Sequence, residues 1–445
     1  MPEQSTIDSI QSLIETAANR FSLPLVVVLM LTAIFFTIRL RFVQIFRFRE
    51  AVRETIASRQ SGASGALSPL QAFMTAIAAT IGVGNIAGVA TAIISGGPGA
   101  LFWIWCYGFF AMATKFTEAS LGMHYRVARG EETLSGPMYY LRDGLKSPAL
   151  AWIYAFVAGL AVLFTTPFTQ PNSVAVVIES EFHLHPLVIG VVLAVLTWLV
   201  TIRGVKALGR AAEKLSPIKV GLYLVGGLVV LVTHITELPG VLAMVFREAF
   251  STQAVAGGTG GWAMMQAIRF GVARGVYANE AGYGTGAVAY GTAKSQHPEQ
   301  QGLAAITEVF IISFITSSIS ALSILVTGVW QTGDVTSSAA VAQAFNAAMP
   351  TVGGWMVAIS VFLFGYTVLI GWGYYGEQFF EYLFGPRIIV PYRWLYCLLI
   401  PIGALAEVET VWAWGDILNG LQVFPNVIGL IALSGLAAKY ASTRS

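Results

Sequence analysis

The sequence predicts an all-α integral membrane protein, and three observations lead to this prediction. The residues Ala, Val, Ile, Leu, Met, Phe, Trp, Tyr and Cys make up 56% of the 445 positions, whereas Asp, Glu, Lys and Arg make up only 11%. A soluble domain carries about 25% charged residues, because water must solvate its surface. The apolar residues also fall in long runs. Composition therefore excludes a soluble or disordered protein, and a formal net charge of +2 excludes a basic nucleic-acid binder.

The apolar runs predict how often the chain crosses the bilayer. About 20 mostly apolar residues span a hydrocarbon core of about 30 Å. By this measure we expect eleven membrane helices, at about 21–38, 69–94, 99–123, 149–170, 186–202, 214–233, 262–292, 302–330, 352–384, 388–408 and 413–438.

The distribution of Lys and Arg predicts the orientation. Every second connection is rich in these cations: 39–68 follows the first helix with six arginines, and 203–219 holds Arg203, Lys206, Arg210, Lys214 and Lys219. Such residues collect on the cytoplasmic side of a membrane. We therefore expect a multi-pass protein of the plasma membrane, the inner membrane in a bacterium. Residues 1–20 should lie outside, 234–261 in the outer interface and the tail 439–445 in the cytoplasm.

Two predicted helices carry glycine and polar residues at mid-membrane. The helix at 69–94 contains the sequence GVGN at 82–85, and the helix at 262–292 contains Asn279 and Glu280 among several glycines. Glycine costs about 1 kcal/mol relative to alanine inside a helix, and polar groups at this depth are usually functional. Close helix packing accounts for scattered membrane glycines, but these clusters favour interrupted helices.

The two interrupted helices occupy corresponding positions in the chain. Without the first helix, the other ten form two sets of five, 69–233 and 262–438, that start on opposite sides of the membrane. An interrupted helix begins each set, which is the pattern of an inverted repeat with a transporter binding site. Unwound backbone offers N–H groups that suit a carboxylate and carbonyls that suit a cation or an ammonium group.

Five short motifs resemble one family of transporters. They are IGVGNIAGV at 81–89, GGPGA at 96–100, GPMYY at 136–140, NEAG at 279–282, and GW at 371–372 followed by YYGE at 374–377. In this order and spacing, the chain resembles the alanine/glycine:cation symporter family, also called the sodium:alanine symporters. The resemblance implies a LeuT-type fold, a 5+5 inverted repeat preceded by one extra helix.

The resemblance also implies the activity. We expect alternating-access symport of a small neutral amino acid, such as alanine or glycine, into the cell with Na⁺. The implied partners are this substrate and the lipid bilayer, without nucleic acid or organic cofactor, and a monomer is favoured.

Candidate site residues follow from the same resemblance. Backbone N–H groups of 80–85 would bind the substrate carboxylate, and carbonyls of 275–279 would receive its ammonium group. The predicted substrate contacts are Thr80, Gly82, Val83, Gly84, Asn85, Gln170, Gly275, Tyr277, Ala278, Asn279 and Trp372. The predicted Na⁺ ligands are the carbonyls of Ala78, Ile81 and Phe364 and the hydroxyl of Thr367, oxygen ligands of the kind that hard cations take.

Four positions depart from the family pattern, among them Pro171, directly after Gln170. Val368 stands where a second hydroxyl residue is usual, so a weaker Na⁺ site, one completed by water, and coupling to H⁺ all stay open. Tyr277 replaces Phe and Ala278 replaces Ser, which changes the expected side-chain pocket.

Four charged residues in predicted helices have structural or gating interpretations. Lys115 and Glu118 are three residues apart, and we expect a structural ion pair, with gating as the alternative. Arg274 and Glu280 flank the second interruption. We expect them to pair and hold it, with a proton relay through Glu280 as the alternative.

Other functions require features that the sequence lacks. An intramembrane enzyme needs a nucleophile with its base, or metal ligands, at membrane depth, but the five histidines fall at predicted helix ends or in loops. A channel usually uses repeated short filters or rings of charged residues, and the sequence shows neither pattern. The remaining alternative within transport is an H⁺-coupled carrier of a larger amino acid.

Overall fold

A computed structural model describes residues 2–57, 65–129, 132–250, 262–332 and 337–443. Residues 58–64 of the predicted basic loop, 251–261 of the predicted outer segment and 444–445 of the predicted tail lie outside this part of the chain.

The described chain is almost entirely helical. In its first half, the α-helices are α1 Pro2–Arg39, α2 Val43–Phe46, α3 Phe48–Ala57, α4 Pro69–Thr80, α5 Ala87–Gly96, α6 Ala100–His124, α7 Pro137–Tyr139, α8 Pro148–Phe182, α9 Pro186–Thr201 and α10 Val205–Thr233. In its second half they are α11 Leu238–Ala249, α12 Trp262–Asn279, α13 Thr285–Gly291, α14 Pro298–Phe310, α15 Ser317–Thr327, α16 Ser337–Ala348, α17 Val352–Phe384, α18 Ile389–Leu405, α19 Val408–Ala432 and α20 Ser434–Ser442.

Short elements join these helices. Val83–Asn85, Val329–Gln331 and Pro386–Ile388 are 3₁₀ turns, whereas Tyr140–Gly144 and Ile311–Thr316 are π-helical. The strands β1 Val127–Arg129 and β2 Glu132–Leu134 form one antiparallel pair.

Several helices are long and apolar enough to cross a bilayer. Within the described ranges these are Arg20–Arg39, Pro148–Phe182, Val205–Thr233, Pro298–Thr327, Val352–Phe384 and Pro386–Leu405. Two bent pairs, Pro69–Thr80 with Val83–Gly96 and Val411–Ala432 with Ser434–Ser442, raise the count from six to as many as eight. Each predicted stretch coincides with a helix or a broken helix, but the number of eleven crossings stays a prediction.

The interior is built around α8 and α17. These two helices pack against each other, α8 also packs against α18 and α19, and α4 packs against α10 and α17. Pro167 and Pro171 lie inside α8 and each lacks the N–H that would continue the helical ladder. The carbonyl of Pro167 lies against Gly403 of α18, where an added Cβ would stand 2.0 Å away. This close contact holds the middle of α8, including Gln170, in the interior of the protein.

Gly371 allows α17 to approach α4 just before α4 ends. A Cβ on Gly371 would lie 2.7 Å from Ala79 Cβ and 3.0 Å from Ala79 Cα, which is closer than packed atoms allow. The contact therefore depends on the absence of a side chain at position 371.

We predict that Gly371→Ala lowers the free energy of unfolding by about 1–3 kcal/mol, because the two backbones must separate. Thermal unfolding of the detergent-purified protein measures this effect. Gly221→Ala in α10 is the matched control: nothing lies within 4 Å of the added Cβ, so it should unfold at or slightly above the wild-type midpoint. A wild-type midpoint for Gly371→Ala would contradict the prediction.

Candidate functional site

The first interruption lies where the sequence predicts it. Helix α4 begins at a capping box, in which Ser68 Oγ accepts from Gln71 N–H (3.1 Å) and Gln71 Oε1 accepts from Ser68 N–H (3.2 Å). It ends at Thr80, and after extended Gly82 and the turn Val83–Asn85 the helix axis has changed direction by 61°.

The second interruption lies later than predicted. Helix α12 continues through 275–279 and ends at Asn279, and the chain turns through Glu280 (φ 56°), Gly282 (φ 102°) and Gly284 (φ 87°) before α13. The prediction that 275–279 are unwound was wrong, because Gly275 packs α12 closely against α6 instead. A Cβ on Gly275 would lie 3.3 Å from Tyr107 Cδ1 and 3.6 Å from Ile104 Cα.

Buried polar side chains accept hydrogen bonds from the backbone N–H groups of the second break. Glu118 Oε1 accepts from the N–H groups of Gly282 and Gly284, both at 2.9 Å. Asn279 Oδ1 accepts from Ala281 N–H at 3.0 Å. The N–H groups of 281 and 282 would otherwise bond to the carbonyls of 277 and 278. These carbonyls, at the end of α12, are therefore released from the helical ladder.

The expected pairing of Lys115 with Glu118 is replaced by another contact. Lys115 Nζ lies 3.8 Å from Glu308 Oε1 and donates to the Asn279 carbonyl at 3.0 Å. Glu118 is already engaged by backbone N–H groups and by Asn426 Nδ2 (2.9 Å). Both residues therefore support the second break, but through different partners.

The expected Arg274–Glu280 pair was also wrong. Arg274 binds Asp416 of α19 through two parallel bonds, Nη1–Oδ1 at 3.1 Å and Nη2–Oδ2 at 3.0 Å. Glu280 instead accepts from Trp372 Nε1 at 2.8 Å and from Thr285 Oγ1 at 2.6 Å. A carboxylate in the chain's second break is thus held by a tryptophan of α17 and the first residue of α13.

A small cavity lies between the two breaks. Its volume is about 10 Å³, room for about one water molecule, so the surrounding side chains must move apart before an amino acid can enter. It is lined by Ala79, Thr80, Gly82, Gly84, Thr166, Gln170, Tyr277, Glu280, Tyr283, Val368, Trp372 and Asn419.

Backbone groups of both breaks are available at this cavity. Among the described residues, the N–H of Gly84 has no hydrogen-bond partner, and that of Val83 donates to Gln170 Oε1 at 3.3 Å. A Cβ placed on Gly84 would stand 3.7 Å from the carbonyl oxygen of Tyr277. Gly84 of the first break therefore lies next to the released Tyr277 carbonyl at the end of α12.

The predicted substrate contacts divide into two groups. Six line the cavity, namely Thr80, Gly82, Gly84, Gln170, Tyr277 and Trp372. Five are not among its lining residues, namely Val83, Asn85, Gly275, Ala278 and Asn279.

The residues outside the lining have other contacts. Asn85 Nδ2 donates to the Thr80 carbonyl (3.2 Å), Asn279 caps the second break, and Gly275 packs against Tyr107. All three are buried and hold the shape of the breaks. Their role as substrate contacts stays a prediction.

Sequence reasoning did not name several lining residues as substrate contacts. These are Ala79, Thr166, Tyr283 and Asn419, together with Val368 and Glu280, which were singled out for other reasons. The polar Thr166 lies four residues before Gln170, one helical turn away on the same face of α8. That spacing could have identified it, whereas nothing local marks Asn419.

The predicted Na⁺ ligands surround a lysine. Lys219 Nζ donates to Ile81 O (2.6 Å), Thr367 Oγ1 (2.6 Å) and Ala78 O (3.2 Å), and lies 3.4 Å from Ile77 O.

The contacts of Phe364 and the position of Lys219 bear on two predictions for the Na⁺ site. Phe364, the fourth predicted ligand, accepts from Thr367 Oγ1 at 3.0 Å through its carbonyl. Lys219, counted in the sequence among the cations of 203–219, lies inside α10 with its side chain fully buried in the protein. In the described part of the chain, no cluster of three or more His, Cys, Asp or Glu residues could hold a metal ion.

Comparisons with known proteins agree with the architecture. The family model described as the sodium:alanine symporter family matches residues 7–443. The sodium/alanine symporter AgcS of Methanococcus maripaludis is 40% identical over 435 residues, covering 96% of this chain and 95% of that protein. The probable sodium/glutamine symporter GlnT of Bacillus subtilis is 33% identical, covering 92% and 85%.

A solved structure shares the fold at low sequence identity. A manganese transporter of Eremococcus coleocola superposes with a TM-score of 0.56 at 13% identity, covering 87% of this chain and 89% of that chain. Together with the two relatives, this likeness identifies a multi-pass membrane transporter rather than an enzyme. The chain belongs to the sodium:alanine symporter family.

Proposed function

We propose that this protein imports a small neutral amino acid, such as alanine or glycine, by cation-coupled alternating access. The observation that supports this most directly is that Gly84, whose N–H has no partner among the described residues, lies next to the released Tyr277 carbonyl, and both residues line one cavity. An amino acid carries an anionic and a cationic group on one carbon, so it needs a donor and an acceptor this close together.

Each end of the substrate has suitable groups in the proposal. The carboxylate binds the Gly84 N–H and displaces Gln170 from the N–H of Val83, since charged acceptors form the stronger hydrogen bonds. The ammonium group binds the Tyr277 carbonyl, close to the Glu280 carboxylate that also lines the cavity. The site thus balances a zwitterion without a buried arginine at the carboxylate.

The cavity walls favour a short side chain. A Cβ on Gly82 would stand 2.5 Å from Val368 Cγ2 and 3.0 Å from Gln170 Oε1, so little space remains between the first break and the helices α8 and α17. The named relatives include both an alanine and a probable glutamine symporter. We favour alanine or glycine, and an H⁺-coupled carrier of a larger amino acid is the alternative.

The remaining assignments extend the same proposal. The chain crosses the membrane eleven times, with its N-terminus outside, as two five-helix repeats, 69–233 and 262–438, after one extra helix. Na⁺ is the coupling ion expected from the family, with H⁺ as the alternative. The oxygens of Ala78, Ile81, Phe364 and Thr367 form one cation site, where the Lys219 ammonium lies in this structure.

Labelled L-alanine in proteoliposomes tests carrier activity. We predict accelerated exchange when unlabelled alanine is preloaded, because an alternating-access carrier exchanges substrate across the membrane. Separate inward gradients of Na⁺ and H⁺ should drive concentrative uptake with at least one ion. Uptake that is equal with neither gradient, and without exchange, would contradict symport.

Gly84→Ala tests the substrate position. The added Cβ would stand 2.7 Å from Tyr277 Cδ1 and intrude between the two breaks, so we expect at least a tenfold loss of alanine affinity in equilibrium binding. Gly88→Ala is the control, because its Cβ meets only ordinary contacts at 3.6 Å or more. Equal affinity in the two variants would show that alanine binds elsewhere.

A further inference from the structure

The Lys219 ammonium lies inside a cradle of oxygen atoms. Its closest partners are the Ile81 carbonyl and the Thr367 hydroxyl, both at 2.6 Å, with the Ala78 carbonyl at 3.2 Å. The side chain comes from α10, whereas the oxygens belong to the end of α4, the first break and α17. The lysine is completely buried, so water does not solvate its charge.

The partners of this ammonium are uncharged oxygen dipoles. Carbonyl and hydroxyl oxygens are also the ligands that hard monovalent and divalent cations take. Three of the four residues predicted to bind Na⁺ are the same residues that accept from Lys219. An ion bonded to these oxygens would have to occupy the space that Nζ now fills.

Valine at position 368, in place of a second hydroxyl residue, suits an ammonium group better than a metal ion. An ammonium group has three N–H donors and is satisfied by three acceptors. Ile81, Thr367 and Ala78 supply that number without a further hydroxyl. Val368 then lines the substrate cavity, and its Cγ2 atom would lie 2.5 Å from a Cβ on Gly82.

We propose that the Lys219 ammonium is the resident cation of this cradle and replaces Na⁺ there, so that amino-acid binding does not depend on Na⁺ through these oxygens. The inference rests on the proposed transport function and deepens it. A coupling ion, where the chain uses one, acts at other groups.

The Lys219 ammonium also positions residues of the substrate site. Ile81 directly precedes Gly82, and Thr367 directly precedes Val368, so both partners of Lys219 adjoin cavity-lining residues. The ammonium therefore joins the first break to α17 beside the cavity. Lys219 acts through these residues and is a positioning residue.

Alanine binding to the purified protein, measured in NaCl and in choline chloride, tests the proposal. We expect wild-type affinities within twofold in the two salts. Lys219→Ser leaves the oxygens and removes the cation, so affinity should fall at least tenfold in choline and recover at least fivefold in Na⁺. Lys214→Ser, an exposed position in the same helix, is the matched control and should behave as wild type.

Several results would overturn the proposal. One is a tenfold Na⁺ dependence of wild-type affinity; another is a Lys219→Ser protein that binds alanine equally in both salts, whether tightly or weakly. If that variant does not fold, a wild-type structure determined in Na⁺ decides: an ion bonded to Ile81 O and Thr367 Oγ1 contradicts the proposal, and Nζ in that place supports it. Alanine exchange by wild type in each salt separates the two proposals, because its absence in both overturns the transport function itself.

Discussion

The structure depends on one constraint: backbone N–H and carbonyl groups inside a membrane must find partners within the protein. A helix that stops at mid-membrane is possible only where other groups replace its ladder. Glu118 does this for the N–H groups of Gly282 and Gly284, and Asn279 does it for Ala281. The groups that remain unpaired at the cavity are then available to a ligand.

The two breaks share one buried polar network. Glu308 accepts from Thr80 Oγ1 (2.7 Å) at the end of α4 and from Tyr290 OH (2.9 Å) beyond the second break. Lys115 lies beside Glu308 and donates to the Asn279 carbonyl at the end of α12. A buried charge left without its partner is costly. The network therefore joins the end of α4 to both sides of the second break through buried side chains, so moving one break would disturb the partners of the other.

The sequence predicted those features that depend on neighbouring residues in the chain. The first break followed from GVGN at 82–85, because glycines next to a polar residue in an apolar run weaken a helix at that point. The second was placed too early, since glycine permits close packing as well as unwinding, and Gly275 is used for packing against α6. Arg274 with Asp416 and Lys219 with Ile81 join residues that are distant in the chain, and such contacts depend on the tertiary fold.

A structure of the protein with bound L-alanine tests the central claim most directly. We predict the amino acid between the interrupted helices, with its carboxylate about 3 Å from the Gly84 N–H and its ammonium group at a similar distance from the Tyr277 carbonyl. Alanine bound away from this cavity, or a helix running unbroken through 80–87, would contradict this arrangement.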